Sequence, residues 1–184
     1  MTPRTAFSTS TKGEDDAFAL QLLSETVLRR HLLIAGKPNI ERLRRSIADF
    51  MSTGSESATR PTVDSVEVHQ QLVKGLPGEA ALIATAMAFD TFKEGQIFFG
   101  LSAKAVRSRV GRRLDSGKSE KALRLVRAAA MAARVLGSAE DARAYLKTRN
   151  IALGGMTPCE LLMTSQGSQL VLNELQTHAD CGPV

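Results

Sequence analysis

Arginine recurs at 107, 109, 112 and 113 within residues 100–114, GLSAKAVRSRVGRRL, where Ser102, Lys104 and Ser108 accompany it. A guanidinium fork matches both the acceptor edge of guanine and the oxygens of a phosphate. If this run is a helix, Ser102, Lys104, Arg107, Ser108 and Arg109 can reach base edges or phosphates. Arg112 and Arg113 then lie where the helix would leave a groove. The same spacing also fits a solvated basic face on an ordinary helical protein, and spacing alone does not choose between them. The neighbourhood favours a polyanion: residues 104–134 hold ten basic side chains against two acidic ones, Asp115 and Glu120. Residues 150–184 carry no Lys or Arg at all, only Glu160, Glu174 and Asp180. A positive middle beside a neutral-to-acidic end points to two tasks, only one of them facing a polyanion.

Other chemistry is thin. His31, His69 and His178 are isolated, so no metal site is expected. Gly154 and Gly155 lack the spacing of a phosphate-binding glycine loop and read as a turn. Cys159 falls just inside an expected helix start, which could lower its pKa, although a half-buried structural thiol is the simpler reading. Neither Cys159 nor Cys181 sits in a C-x-x-C pair, and no organised base or orienter accompanies either thiol. The chain is therefore read as a non-enzyme that needs no cofactor.

The elements that must position these residues are all helical. Scarce aromatics and abundant Ala and Leu favour helices over a sheet. Residues 1–14 read as a disordered tail, and residues 15–60 as a helical arm with a linker from 51 to 61. Residues 61–118 are expected to form a DNA-binding domain and residues 119–184 a small helical domain. Helices are expected over 63–74, 79–88 and about 90–97, the last capped by Asp90 or Thr91. Gly100 makes the turn, and Ser102 caps a helix to about Leu114. This is the layout of a helix-turn-helix, with Phe92, Ile97, Leu101, Val106 and Val110 as its apolar clasp. Ser119 is expected to cap a helix to Leu136, with Leu123, Val126, Ala130 and Val135 inward and Arg124, Arg127 and Arg134 outward. Gly137 ends it, Ser138 caps a helix to about Lys147, Thr157 and Pro158 start a short one, and Thr164 or Ser165 caps the last.

In combination these segments resemble the Xre/MbcA/ParS-type antitoxins, whose partners are RES-domain toxins. The resemblance spans about residues 66–176, and LGGMTPCELL, residues 153–162, is its most specific part. The family's toxin-binding pattern is met by Tyr145, Leu146, Asn150, Leu153, Gly154, Gly155, Thr157, Pro158, Leu161, Leu162, Gly167, Val171 and Leu175. Tyr145 stands where the family favours tryptophan, and the arm at 15–51 is longer than compact members need. The resemblance implies an all-α antitoxin that represses its own operon by binding operator DNA as a homodimer, within a toxin–antitoxin hetero-oligomer. It implies too that Asn150, Leu153, Gly154, Gly155, Met156, Thr157, Pro158, Leu161 and His178 engage an NAD-consuming RES-domain toxin and block it. Leu153, Met156, Leu161, Leu162, Met163 and Leu170 could anchor either the core or the partner, and about half are assigned to the core. The final residues, HADCGPV, are candidates to enter the toxin, or simply a frayed end.

The sequence offers no apolar window near the about 18 residues a membrane span requires, and no secretory signal, so a cytoplasmic protein is expected. Three other readings stay open: a regulator with this fold but no toxin, a small enzyme using Cys159, and a helical adaptor that binds no DNA.

Overall fold

The computed structural model describes residues 63–102, 105 and 112–181. The expected tail and arm, residues 1–60, lie outside the described residues.

Two glycine breaks open the fold. Helix α1, Val63–Lys74, stops at Gly75, and α2, Glu79–Ala88, begins four residues on. Between them the backbone runs against residues 112–114. Gly78 N–H donates to the Arg112 carbonyl at 2.7 Å, and Leu114 N–H donates to the Leu76 carbonyl at 2.8 Å. Pro77 and Arg113 form an isolated antiparallel bridge. Gly75 is required here on two counts: its φ is +83°, and a Cβ would lie 2.0 Å from the Leu114 carbonyl oxygen.

Helix α2 is apolar on nearly every side and sits in the core, as its composition predicts: Ala84, Met87 and Ala88 are fully buried. Its buried polar residue, Thr85, is satisfied by donating to the Ala81 carbonyl at 2.7 Å. Helix α3, Phe92–Phe99, is started by a capping box between Thr91 and Glu94 and ended by Gly100 in the left-handed region. It buries Phe92, Phe98 and Phe99, and Phe98 packs on Phe89 with ring centroids 5.8 Å apart. Ile97, expected in the clasp, is instead 75 % exposed. In a run of Ile-Phe-Phe the helical period permits either choice, and the two rings bury more area.

Helix α4, Ser116–Leu136, is the axis around which the rest is assembled, packing against α1, α2 and the helices that follow. Ala128, Ala129, Ala132 and Ala133 are fully buried, because side chains this small let neighbouring helices close on several sides. Its cap is Asp115, whose Oδ1 accepts the Lys118 N–H at 2.8 Å, not Ser119 as expected. Ser119 is buried, donating to the Asp115 carbonyl at 2.8 Å and accepting the Leu76 N–H at 2.9 Å. Leu123 and Val126 point inward as expected, Ala130 and Val135 are half-buried, and Arg127 and Arg134 face out. Arg124 is half-buried.

Gly137 in the left-handed region ends α4, and Ser138 caps α5, Ala139–Lys147. A 3₁₀ turn, Ile151–Leu153, leads to α6, Pro158–Leu161, and to the long α7, Ser165–Cys181. Thr164 is the residue that caps α7, its hydroxyl accepting the Gly167 N–H at 3.0 Å. Lys147 pairs with Asp90 and Arg143 donates to the Ala86 carbonyl at 3.3 Å, tying α5 to the end of α2. One continuous apolar core runs from Leu76 through α2, α3 and α4 to Leu175 on α7. The protein is all-α: the described residues form helices and no strand.

Candidate functional site

Two regions hold the residues singled out from the sequence. In the first, α3 leads through Gly100 to a capped start: Ser102 is exposed, and its hydroxyl accepts the Ala105 N–H at 3.1 Å. Lys104, Arg107, Ser108 and Arg109 lie outside the described residues, as do Val106 and Val110. The helix expected to continue to Leu114 does not reach it. Arg112 is in a bend and Arg113 in the bridge to Pro77, because the backbone there pairs with residues 76–78. Both arginines are exposed, but Arg113 Nη1 donates to the Gly75 carbonyl at 2.6 Å. Part of that guanidinium therefore serves the fold. Residues 112–114 are held by the paired backbone of 76–78.

The second region is a turn built around Asn150. Its N–H donates to the Met156 carbonyl at 3.1 Å, and its own carbonyl accepts the Gly155 N–H at 2.9 Å. Its side-chain oxygen accepts the Ala152 N–H at 2.9 Å, starting the 3₁₀ turn. Gly154 and Gly155 follow with φ of +69° and +76°, which lets five residues reverse direction without strain. Arg149 Nη1 ties down the far side, donating to the Gly155 carbonyl at 3.0 Å. Thr157 and Glu160 form a capping box with Pro158 in the first turn of α6, and those hydrogen bonds to Thr157 hold the Glu160 carboxyl below the usual carboxylate range.

Glu174 on α7 gathers this region. It accepts Asn150 Nδ2 at 2.9 Å on one oxygen, the Tyr145 hydroxyl on the other, and pairs with His178 Nε2 at 2.9 Å. Burial, with the carboxylate partner second, raises the Tyr145 hydroxyl well above its ordinary pKa. Three elements, α5, the turn and α7, thus meet on one carboxylate whose side chain is 9 % exposed.

The apolar residues of this region divide cleanly. Leu153 and Leu162 are buried and Leu161 is packed against the core. Met156, Met163 and Leu170 are exposed by 42, 40 and 48 %, and Ile151 by 94 %. Among the other expected contact residues, Pro158 is buried and Gly154 and His178 are exposed, while Asn150, Gly155 and Thr157 are half-buried. Sequence reasoning passed over Ile151 and Glu174. The signals were present: a β-branched residue between an Asn and a Gly-Gly turn, and an acidic residue in a segment without cations. The Cys159 thiol is half-buried and free. Burial pushes its thiol up to about 12, with Glu94 adding to the effect, and this outweighs its place in the first turn of a four-residue helix.

A helical surface with apolar side chains held outward suits protein recognition. Residues 131–179 match the family described as the antitoxin Xre/MbcA/ParS C-terminal toxin-binding domain. The match begins inside α4 and covers α5, the Asn150 turn, α6 and most of α7, so every part of the second region falls within it. Comparison with curated proteins and with solved structures gives no match. The matched segment supports the role of an antitoxin with a toxin as its partner. Among the described residues no helix is long and apolar enough to cross a membrane.

Proposed function

We propose that this chain is the antitoxin of a toxin–antitoxin pair that binds and blocks an NAD-consuming RES-domain toxin through residues 139–181 and represses its own operon by binding DNA through residues 92–113. The observation that carries the reading is the coincidence of the toxin-binding family match with the exposed apolar residues of the Asn150 turn, the α6–α7 connection and α7. Four large apolar side chains in water, on a frame fixed by the Thr157–Glu160 capping box and the nearly buried Glu174 carboxylate, are a feature of surfaces kept for a partner. The DNA-binding half is supported by the run of cations at 104–113 and by the helix–turn–cap geometry of α3, Gly100 and Ser102. A homodimer would match a palindromic operator, since two half-sites mirror a two-fold protein.

The test is co-expression with the product of the adjoining gene, purified through a tag on that product. An antitoxin co-purifies, and cells expressing the adjoining gene survive only in its presence. A chain that leaves the toxin behind while still retarding its promoter DNA would be a regulator without a toxin, and the role given to residues 139–181 would fall.

A further inference from the structure

The structure assigns the anchor of the proposed partner interface to Ile151, and to Glu174 the task of positioning it. This inference rests on the antitoxin reading above.

Ile151 is 94 % exposed, the most exposed large apolar residue among the described residues. Isolated apolar residues on a surface are ordinary, but this one is not on a compliant loop. Its backbone carbonyl accepts the Gly154 N–H at 3.0 Å. The residue before it, Asn150, is fixed by hydrogen bonds to Met156, Gly155, Ala152 and Glu174. A β-branched side chain has few χ1 states of its own, so the ordering cost that a contact residue normally incurs is already small. Rigid, protruding and apolar, Ile151 has the properties of a knob that enters a pocket.

The companions of Ile151 define the pocket's surroundings. Met156 leaves the same turn, and Met163 and Leu170 flank the start of α7, a helix that packs on both α6 and the 3₁₀ turn. Methionines adapt to an irregular opposing surface. The charges of this stretch are Glu160, Glu174 and Asp180, with no Lys or Arg from 150 to 184. Of these carboxylates only Glu160 and Asp180 are exposed, and the exposed Arg149 borders the turn. The fitting occupant is therefore a protein face with an apolar pocket, which the family match at residues 131–179 leads us to take to be the toxin. Glu174 acts through another residue: it holds Asn150 Nδ2, and Asn150 Oδ1 in turn holds the Ala152 N–H, so the carboxylate sets the orientation of the turn that carries Ile151.

The test uses the full chain and the RES-domain product of the adjoining gene, with affinity measured by calorimetry and self-association by sedimentation. Ile151→Asp is expected to weaken toxin binding by about thirtyfold or more, the size of a central anchor, with thermal stability unchanged because the side chain touches no core. Wild-type affinity in Ile151→Asp overturns the assignment. A change in self-association without a change in toxin affinity does so too, because the occupant would then be a second copy of this chain. If the wild-type chain itself does not bind the toxin, the antitoxin reading fails first and this inference with it. For Glu174→Gln, weaker toxin binding should accompany faster amide exchange at Ala152, while the amides of α4 keep their protection. Unchanged exchange at Ala152 would remove the positioning role.

Discussion

A Cβ placed on Gly167 would lie 2.1 Å from the Leu161 carbonyl oxygen, so the start of α7 passes the end of α6 at a distance only glycine permits. Gly167→Ala must push the two helices apart, and the strain falls on Leu162 and Val171, both fully buried beside it. A loss of about 1–3 kcal/mol is expected, the usual cost of one surplus methyl in a packed site, read from chemical denaturation. An unchanged midpoint would mean that the contact is looser than its geometry. At Cys159 the sign of the pH effect is set by burial. Its thiol is pushed up to about 12 in the folded protein, so the unfolded chain releases that proton at lower pH than the folded one. The stabilising contribution is therefore whole below the ordinary thiol pKa, about 8.5, and declines as pH rises from there toward 12. Cys159→Ser should flatten this part of the stability–pH curve and leave toxin binding intact. The native thiol should also resist alkylation near pH 8, whereas fast labelling there would contradict its burial.

Between α1 and α4 the fold depends on a contact that crosses many residues: residues 75–78 lie against 112–114, and Ser119 closes the arrangement by accepting the Leu76 N–H at 2.9 Å. Ser119→Ala leaves that buried N–H without an acceptor and is expected to cost about 1–3 kcal/mol. Arg113→Ala should lose stability as well, since its guanidinium donates to the Gly75 carbonyl, whereas Arg112→Ala should not. Urea denaturation of the three variants checks the order. These are the places where sequence reasoning fell short, and the reason is shared. The bounds of α1, α2 and α5 and the glycine ends of α3 and α4 follow from neighbours in the chain, and they stand where capping and breaking residues put them. The Pro77–Arg113 bridge is non-local, so nothing near Arg113 announces that it leaves the helix. Ser119 resembles a cap because a serine before an acidic residue usually is one; Asp115, four residues earlier, already held that place. Likewise Gly-Gly, Thr-Pro and Asn150 made the turn legible, while Ile151 and Glu174 acquire meaning only when α7 folds back across it.

For the molecule as a whole, the charge map and the core make opposite demands. The cations of 104–134 and the cation-free stretch of 150–184 suggest two separable activities, yet a single core joins α2 to α7 through α4. Separability then depends on whether a variant acts at a surface or through that core. Arg107→Ala and Arg109→Ala alter one cation each in the segment proposed to read DNA. Each is expected to weaken binding to the promoter of its own operon and to reduce the slope of log affinity against log salt by about one, if the lost contact is a phosphate. Affinity for the toxin should stay at the wild-type value. Gel retardation over a salt series, paired with calorimetry on the same preparations, measures both. Loss of both activities together would place the effect in the shared core. Loss of toxin binding alone would reverse the proposed assignment of the two surfaces. If DNA binding falls by itself, the salt slope then distinguishes its cause. A slope lowered on every sequence marks a phosphate contact, whereas an unchanged slope with relaxed preference at one base pair marks direct readout by that arginine.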